Sequence, residues 1–208
     1  MNVNEQLLQA IYKNEIEAVK TALDAGADAN SKDKNGIPAL HHAMPYSDII
    51  KMLLEHGANP DIRDNDGNCA LHNDCSYIEH NDCDIASACL LLECGVNVDT
   101  RNDFESTPLI DNCWSTNNSL GFIRFLIESG ADVNAQDDEG RTPLHNAIWD
   151  ARVDVVELLL EHGAAASADI SGDYGTPLEF AERSVEEYPD DEDSFEILKK
   201  IKKAVKAL

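Results

Sequence analysis

The feature that most constrains this chain is a segment that returns about every 33 residues. "GADVNAQDDEGRTPLHNAIWDARVDVVELLLEHGA" spans residues 130–164. It reads as a Gly-Ala-Asp turn, a TPLH start, a short helix, and a second apolar helix closed by glycine. Related segments begin with "GADANSKDKNGIPALHHAM" at Gly26, "GANPDIRDNDGNCALHNDC" at Gly57, "GVNVDTRNDFESTPLIDNC" at Gly95 and "GAAASADISGDYGTPLEFA" at Gly163. One unit of this size cannot bury its apolar face alone, so the chain must fold as a stack of units.

The residues within a unit agree with that reading. Pro143 suits the first turn of a helix, where its missing N–H is not needed, and Thr142 before it can cap that turn. Leu144 and Ala147 share a face, and the small Ala lets two helices approach closely. The second helix places Val156, Leu159 and Leu160 at core spacing. Gly163 ends it with a residue that tolerates positive φ. Equivalent trios are Val19, Ala22 and Leu23; Ile50, Leu53 and Leu54; Ala88, Leu91 and Leu92; and Ile123, Leu126 and Ile127.

"DDEGRTPLHNAI" resembles the signature of the ankyrin repeat family, and the resemblance covers nearly the whole chain. It implies an all-α ankyrin-repeat solenoid, with helix-turn-helix units joined by β-turn or hairpin loops. The reading gives a single domain over residues 1–208, with repeats near 3–32, 33–63, 64–101, 102–136 and 137–170 and a C-terminal cap at 171–208. The first unit lacks TPLH but keeps Leu7, Ala10 and Gly26 in register. The cap has no closing glycine, and its helix "SFEILKKIKKAVKAL" presents lysines that favour a helix C-terminus. Asp74 and Asn112 replace the small Ala of the first helix, and Glu105 and Tyr174 replace the turn glycine. Repeats three and four are therefore expected to be the least stable locally. Insertions at 76–84 and 186–194 fall between the two helices of their units. They either carry function on one edge or are simply tolerated loop length.

The tetrapeptide HNDC occurs twice, as His72 to Cys75 and as His80 to Cys83. The four soft side chains suggest a zinc site, but the repeat register explains most of them. His72 aligns with His41 and His145, the TPLH histidines, to which the family resemblance gives a structural role bonding across the turns. Cys69 takes the Thr slot, and Cys75 and Cys113 take a small-residue slot of the first helix. Cys89 lies on a second helix, and Cys94 precedes a closing glycine; only Cys83 lies in an insertion. A helical path would hold His72 and His80 about 12 Å apart at 1.5 Å per residue, too far for one zinc ion. The expectation is no metal and no cofactor.

Composition narrows the function. The chain carries 16 Lys and Arg against 40 Asp and Glu, a net charge of −24. Residues 199–208 hold five lysines and no acid, so the first 198 residues carry −29. Such a surface repels nucleic acid and anionic lipid and speeds encounter with a basic protein. Acidity for solubility alone is the competing account. No segment approaches the ~18 apolar residues of a membrane span. The N-terminus shows no secretory signal, and six cysteines fit reduced thiols. The expectation is a cytoplasmic protein, monomeric when free. No P-loop, G-x-G-x-x-G, H-E-x-x-H, C-x-x-C or G-x-S-x-G occurs, so an enzyme is not expected.

The resemblance implies a concave surface, formed by the turn tips and the exposed ends of the first helices, that binds another protein. In register, that surface carries Tyr12, Tyr46, Tyr77, Trp114 and Trp149, with Phe104 and Tyr174 at turn tips. Phe122, Phe125, Phe180 and Phe195 read as core, and Tyr188 as lying elsewhere. Carboxylates at the tips include Asp64, Asp66, Asp103, Glu105, Asp137, Asp138, Glu139 and Asp173, and Asp150 adds one beside Trp149. Aromatic faces among carboxylates suit Arg and Lys side chains. The same stripe is also what ring packing between repeats produces. Three readings follow: a binding module for a basic protein, which it occupies and inhibits; a passive adaptor or scaffold; and a metal-binding or redox protein using His80 and Cys83.

Overall fold

A computed structural model describes residues 2–44, 46–72, 85–114, 120–167 and 174–206. The described residues form a helical chain with no strand beyond one isolated antiparallel bridge between Lys32 and Pro38. The elements are α1 (Val3–Tyr12), α2 (Ile16–Asp24), α3 (Ala39–His42), α4 (Ser47–Glu55), a 3-10 turn (Ala70–His72), α5 (Ile85–Glu93), α6 (Pro108–Asn112), α7 (Leu120–Glu128), α8 (Pro143–Trp149), α9 (Val153–Glu161), α10 (Pro177–Glu187) and α11 (Glu192–Val205). They fall into two compact units, Met1–Asp103 and Phe104–Leu208, each holding three of the repeats read from the sequence.

Capping follows the residue chemistry. Thr107 and Thr176 accept the N–H groups of Ile110 and Glu179, with Pro108 and Pro177 in the first helical position. The first repeat has no TPLH, and Asn2 substitutes. Its side chain accepts the Glu5 N–H at 2.8 Å, and the Glu5 carboxylate accepts the Asn2 N–H at 3.0 Å.

Each second helix buries the expected face. Val19, Ile50, Ala88, Ile123 and Val156 are fully buried, as are Leu53, Leu91, Leu126 and Leu159. The third member of the trio is less uniform. Leu54, Leu92 and Leu160 are only half-buried, because the helix face has turned partly outward by that residue. In α9, Val155 and Leu158 complete the core instead.

Two kinds of glycine hold the units in shape. Gly26, Gly57, Gly95, Gly130 and Gly163 end the second helices with φ between 83° and 95°. The next N–H then reaches back to close the helix, as Ala27 does to Ala22 at 3.0 Å and Ala164 to Leu159 at 2.9 Å. Gly36 and Gly67 sit in the turn tips, where space decides as well. A Cβ on Gly36 would stand 2.2 Å from Asn65, and one on Gly67 2.3 Å from Asp103. Glu105, in the turn-glycine slot, adopts φ 56°.

The carboxylates that open the turns are structural. Asp33 accepts the N–H groups of Asn35 and Ile37, Asp64 those of Asp66 and Asn68, and Asp137 those of Glu139 and Arg141, all at 2.8–3.0 Å. This corrects the expectation that Asp64 and Asp137 face a partner. Both are committed to their own turns, and Asp137 is buried. A second device ties neighbouring repeats. Asn30 Nδ2 donates to the Gly57 carbonyl at 3.0 Å, and Asn30 Oδ1 accepts the Asn59 N–H at 2.7 Å. Asn134 does the same with Gly163 and Ala165, at 3.3 and 2.7 Å.

Candidate partner-binding site

The TPLH histidines do bond across the turns. His145 Nε2 lies 3.1 Å from the Gly175 carbonyl, and His41 Nε2 lies 3.0 Å from that of Ile62. Their other ring nitrogens differ. His145 Nδ1 accepts the Thr142 N–H at 3.1 Å, and His72 Nδ1 accepts that of Cys69 at 3.2 Å. His41 Nδ1 is buried without a partner, because Pro38 in the Thr slot has neither an N–H nor a hydroxyl. Burial holds both His41 and His145 below the usual histidine range. Cys69 and Cys113 are buried, and burial raises both thiols, so neither is a reactive thiolate. Both HNDC segments beyond His72, with Cys75, His80 and Cys83, lie outside the described residues. Among the described residues no group of three or more His, Cys, Asp or Glu could hold a metal ion, and no helix is long and apolar enough to cross a membrane.

In unit 1 the predicted face is represented by Tyr12, whose ring is 49% exposed. Its hydroxyl donates to Asp33 Oδ2 at 3.0 Å and stands 2.8 Å from His42 Nε2. The His42 ring lies 4.4 Å away, centroid to centroid. Burial, then the hydrogen bond and charge of Asp33, push the Tyr12 phenol up to about 12. Tyr12 therefore braces the first two repeats against each other. Tyr46 is half-buried, Asp66 and Asp103 are exposed, and Tyr77 lies outside the described residues.

In unit 2 the rings gather. Trp114, just beyond α6, and Trp149, at the end of α8, stack with centroids 5.7 Å apart and planes at 21°. Phe180 in α10 continues the stack on Trp149 at 5.8 Å and 18°, and Tyr174 meets Phe180 edge-on at 6.0 Å. The two indoles remain 41% and 56% exposed, and Phe104 is 53% exposed. This corrects the reading of Phe180 as core. It occupies the slot after the TPLH pattern, and it is half-buried because Trp149 leans against it. Phe195, also read as core, is 49% exposed on the outer face of α11.

An arginine sits inside this cluster. The Arg141 guanidinium lies 5.5 Å from the Trp114 ring centroid and 5.7 Å from that of Tyr174. Its Nε donates to Asp137 at 2.8 Å, and Nη1 lies 3.4 Å from Glu139. Tyr174 donates its hydroxyl to Glu139 at 2.9 Å, a bond that raises the phenol's pKa. Arg183 stacks on Phe180 at 5.5 Å and donates to the Tyr174 carbonyl. Asp138 is exposed, and Asp150 is half-buried with its carboxyl raised by burial. Sequence reasoning missed three members: Arg141, Phe180 and Asp111. Asp111 accepts the Ser106 hydroxyl at 2.5 Å, and burial, reinforced by the Asp137 charge, pushes its carboxyl up to about 6. The available signal was positional, since Asp111, Asn146 and Phe180 occupy one slot in successive repeats.

The comparisons with known proteins agree with this architecture. The family description "Ankyrin repeats (3 copies)" matches residues 7–88 and 75–171. The chain is similar in structure to the ankyrin repeat domain of Bcl-3, a member of the IkappaB protein family. That match has a TM-score of 0.75 and 22% identity, covering 96% of this chain and 85% of the other. It is also similar to an ankyrin repeat domain from Acinetobacter baumannii AYE, with a TM-score of 0.70 and 24% identity over 95% and 96% of the two chains. No curated protein matches the chain. Ankyrin repeat domains mediate protein–protein interaction on a non-catalytic fold. The glycine-closed helix pairs, the TPLH histidine bridges and the matched repeats lead to one assignment: the chain belongs to the ankyrin repeat family.

Proposed function

We propose that this protein is a non-catalytic binding module that uses the aromatic, acidic face of unit 2 to occupy a basic protein, and so to inhibit it. The supporting observation is the Arg141 cage. Two rings and two carboxylates already hold a guanidinium there, so the chemistry of this face suits cationic side chains. Charge adds long-range attraction. Unit 1 carries seven Lys and Arg against 18 Asp and Glu, and unit 2 nine against 22, so both units draw a basic partner. We place the protein in the cytoplasm and as a monomer when free.

The test is capture of partners from source-cell lysate by wild type and by the Trp114→Ala, Trp149→Ala double variant, at low and at high salt. The expected result is a basic protein held only by wild type and released at high salt, because exposed charge is screened beyond about 8 Å at physiological strength. Equal capture by both proteins would make the ring stack internal packing and end this reading.

A further inference from the structure

Beyond the Trp114 cage, unit 2 has an open pocket of about 670 Å³ between the end of α8 and the α10–α11 connection. Its lining includes the Trp149, Phe180 and Tyr188 rings and the Glu187 and Asp191 carboxylates. Tyr188 is 59% exposed, and its hydroxyl points to Glu187 Oε1 at 3.4 Å. Asp191 caps α11, accepting the Ser194 hydroxyl at 2.5 Å and the Ser194 N–H at 3.2 Å, and that bonding lowers its pKa, so it remains a carboxylate. The connection is the insertion "EEYPDDED", residues 186–193, with six acids and no base.

Two arginines show what these surroundings hold. Arg141 fills the space between Trp114 and Tyr174, and Arg183 covers Phe180. Both use a ring face, and Arg141 also uses two carboxylates. The pocket beside them repeats the combination with Tyr188, Glu187 and Asp191. Arg183 lines the same pocket and opposes a second cation, but it is outnumbered by the Glu187 and Asp191 carboxylates that also line it.

We infer that this pocket is the anchor point for an arginine side chain of the basic partner, its guanidinium stacked on Tyr188 and paired with Glu187, beside the Trp149 edge. The inference rests on the basic-partner reading and locates its first contact. It moves that contact away from Trp114, where the internal arginine already sits, to an insertion at the cap.

The chain has two tryptophans, so two indole N–H signals report separately on the cage and on the pocket. The probe is a blocked Gly-Gly-Arg-Gly-Gly peptide, with the isosteric citrulline peptide as its uncharged control. The arginine peptide should shift the Trp149 indole signal saturably, and the citrulline peptide should not. Tyr188→Ala and Glu187→Gln should each weaken that binding about three- to fivefold, the scale of an exposed cation–π contact or ion pair, and Tyr188→Phe should restore it. Both side chains are exposed, so thermal unfolding should stay unchanged. A shift of the Trp114 signal alone would overturn the pocket and leave the basic-partner reading standing. Equal shifts with citrulline, or Tyr188→Ala binding as wild type does, would also overturn the pocket. No shift at either indole would overturn both.

Discussion

The first-helix ends of units 1 and 2 use related residues for different purposes. In unit 1, Tyr12, His42 and Asp33 form a closed hydrogen-bonded set, and the ring's polar end is already satisfied. In unit 2, Trp114, Trp149 and Phe180 meet face to face, and Arg141 is the polar element among them. A phenol finds a partner through its hydroxyl and becomes a brace. An indole has one N–H and a broad face, so it packs on other rings and on a cation while part of that face stays exposed. The same positional pattern thus gives a hydrogen-bonded brace in one unit and an exposed ring stack, the face proposed to meet the partner, in the other.

The comparison can be tested by substitutions ordered from the largest expected effect. Arg141→Gln should destabilise unit 2 by about 2 kcal/mol, because it leaves the buried Asp137 without its cation. Chemical denaturation would measure this. A loss near zero would mean that the turn's own N–H groups suffice for Asp137. Asp111→Asn should stabilise the protein at pH 7 by roughly 1 kcal/mol. The sign follows from the raised pKa, about 6 in the folded state. Ionised Asp111 is a penalty above that pH, relieved as pH falls toward the unfolded value near 3.9. The gain in Tm over wild type should therefore be greatest above pH 6 and fade toward pH 4. His41 and His145 act oppositely. Their lowered pKa values give stability that is present above about 6.5 and lost as pH falls below it.

Smaller effects sharpen the contrast. Tyr12→Phe should cost about 1 kcal/mol of stability, measured by thermal unfolding, and leave partner capture unchanged. Loss of capture would show that the unit 1 cluster also binds. Pro38→Thr should raise stability by up to about 1 kcal/mol, since it gives His41 Nδ1 the N–H that Thr142 gives His145. No gain would mean that the fixed φ of Pro38 offsets the restored bond.

Much of the fold was legible because it depends on local chemistry. Positive φ favours glycine, a helix start favours a cap, and an amphipathic helix requires spaced apolar residues. Those demands leave marks within one repeat, and Gly163 and Val156 are as expected. What was not legible depends on contacts one repeat apart. Arg141 is an ordinary surface residue in its own repeat and becomes a caged cation only when Trp114 and Tyr174, from the repeats on either side, are stacked around it. Asp64 and Asp137 read as tip charges because the folding back of a carboxylate onto its own turn leaves no distinct mark in composition. Phe180 read as core because its helix is amphipathic, whereas its neighbour Trp149 draws it into the ring stack.

The asparagine ties between repeats bear on how the protein ages. When the next backbone nitrogen attacks an asparagine amide, ammonia leaves and water opens the resulting imide to a carboxylate, which has no hydrogen to donate. Conversion of Asn30 would delete the bond to the Gly57 carbonyl while leaving the acceptor in place. The corresponding residue one repeat later, Asp61, is a carboxylate in the sequence itself. At Asn30 the attacking atom is restrained, because the Ser31 N–H is held by the Asp28 carbonyl at 2.9 Å and Ser31 is buried. The turn that shapes the repeat therefore also slows the chemical clock of the joint it supports.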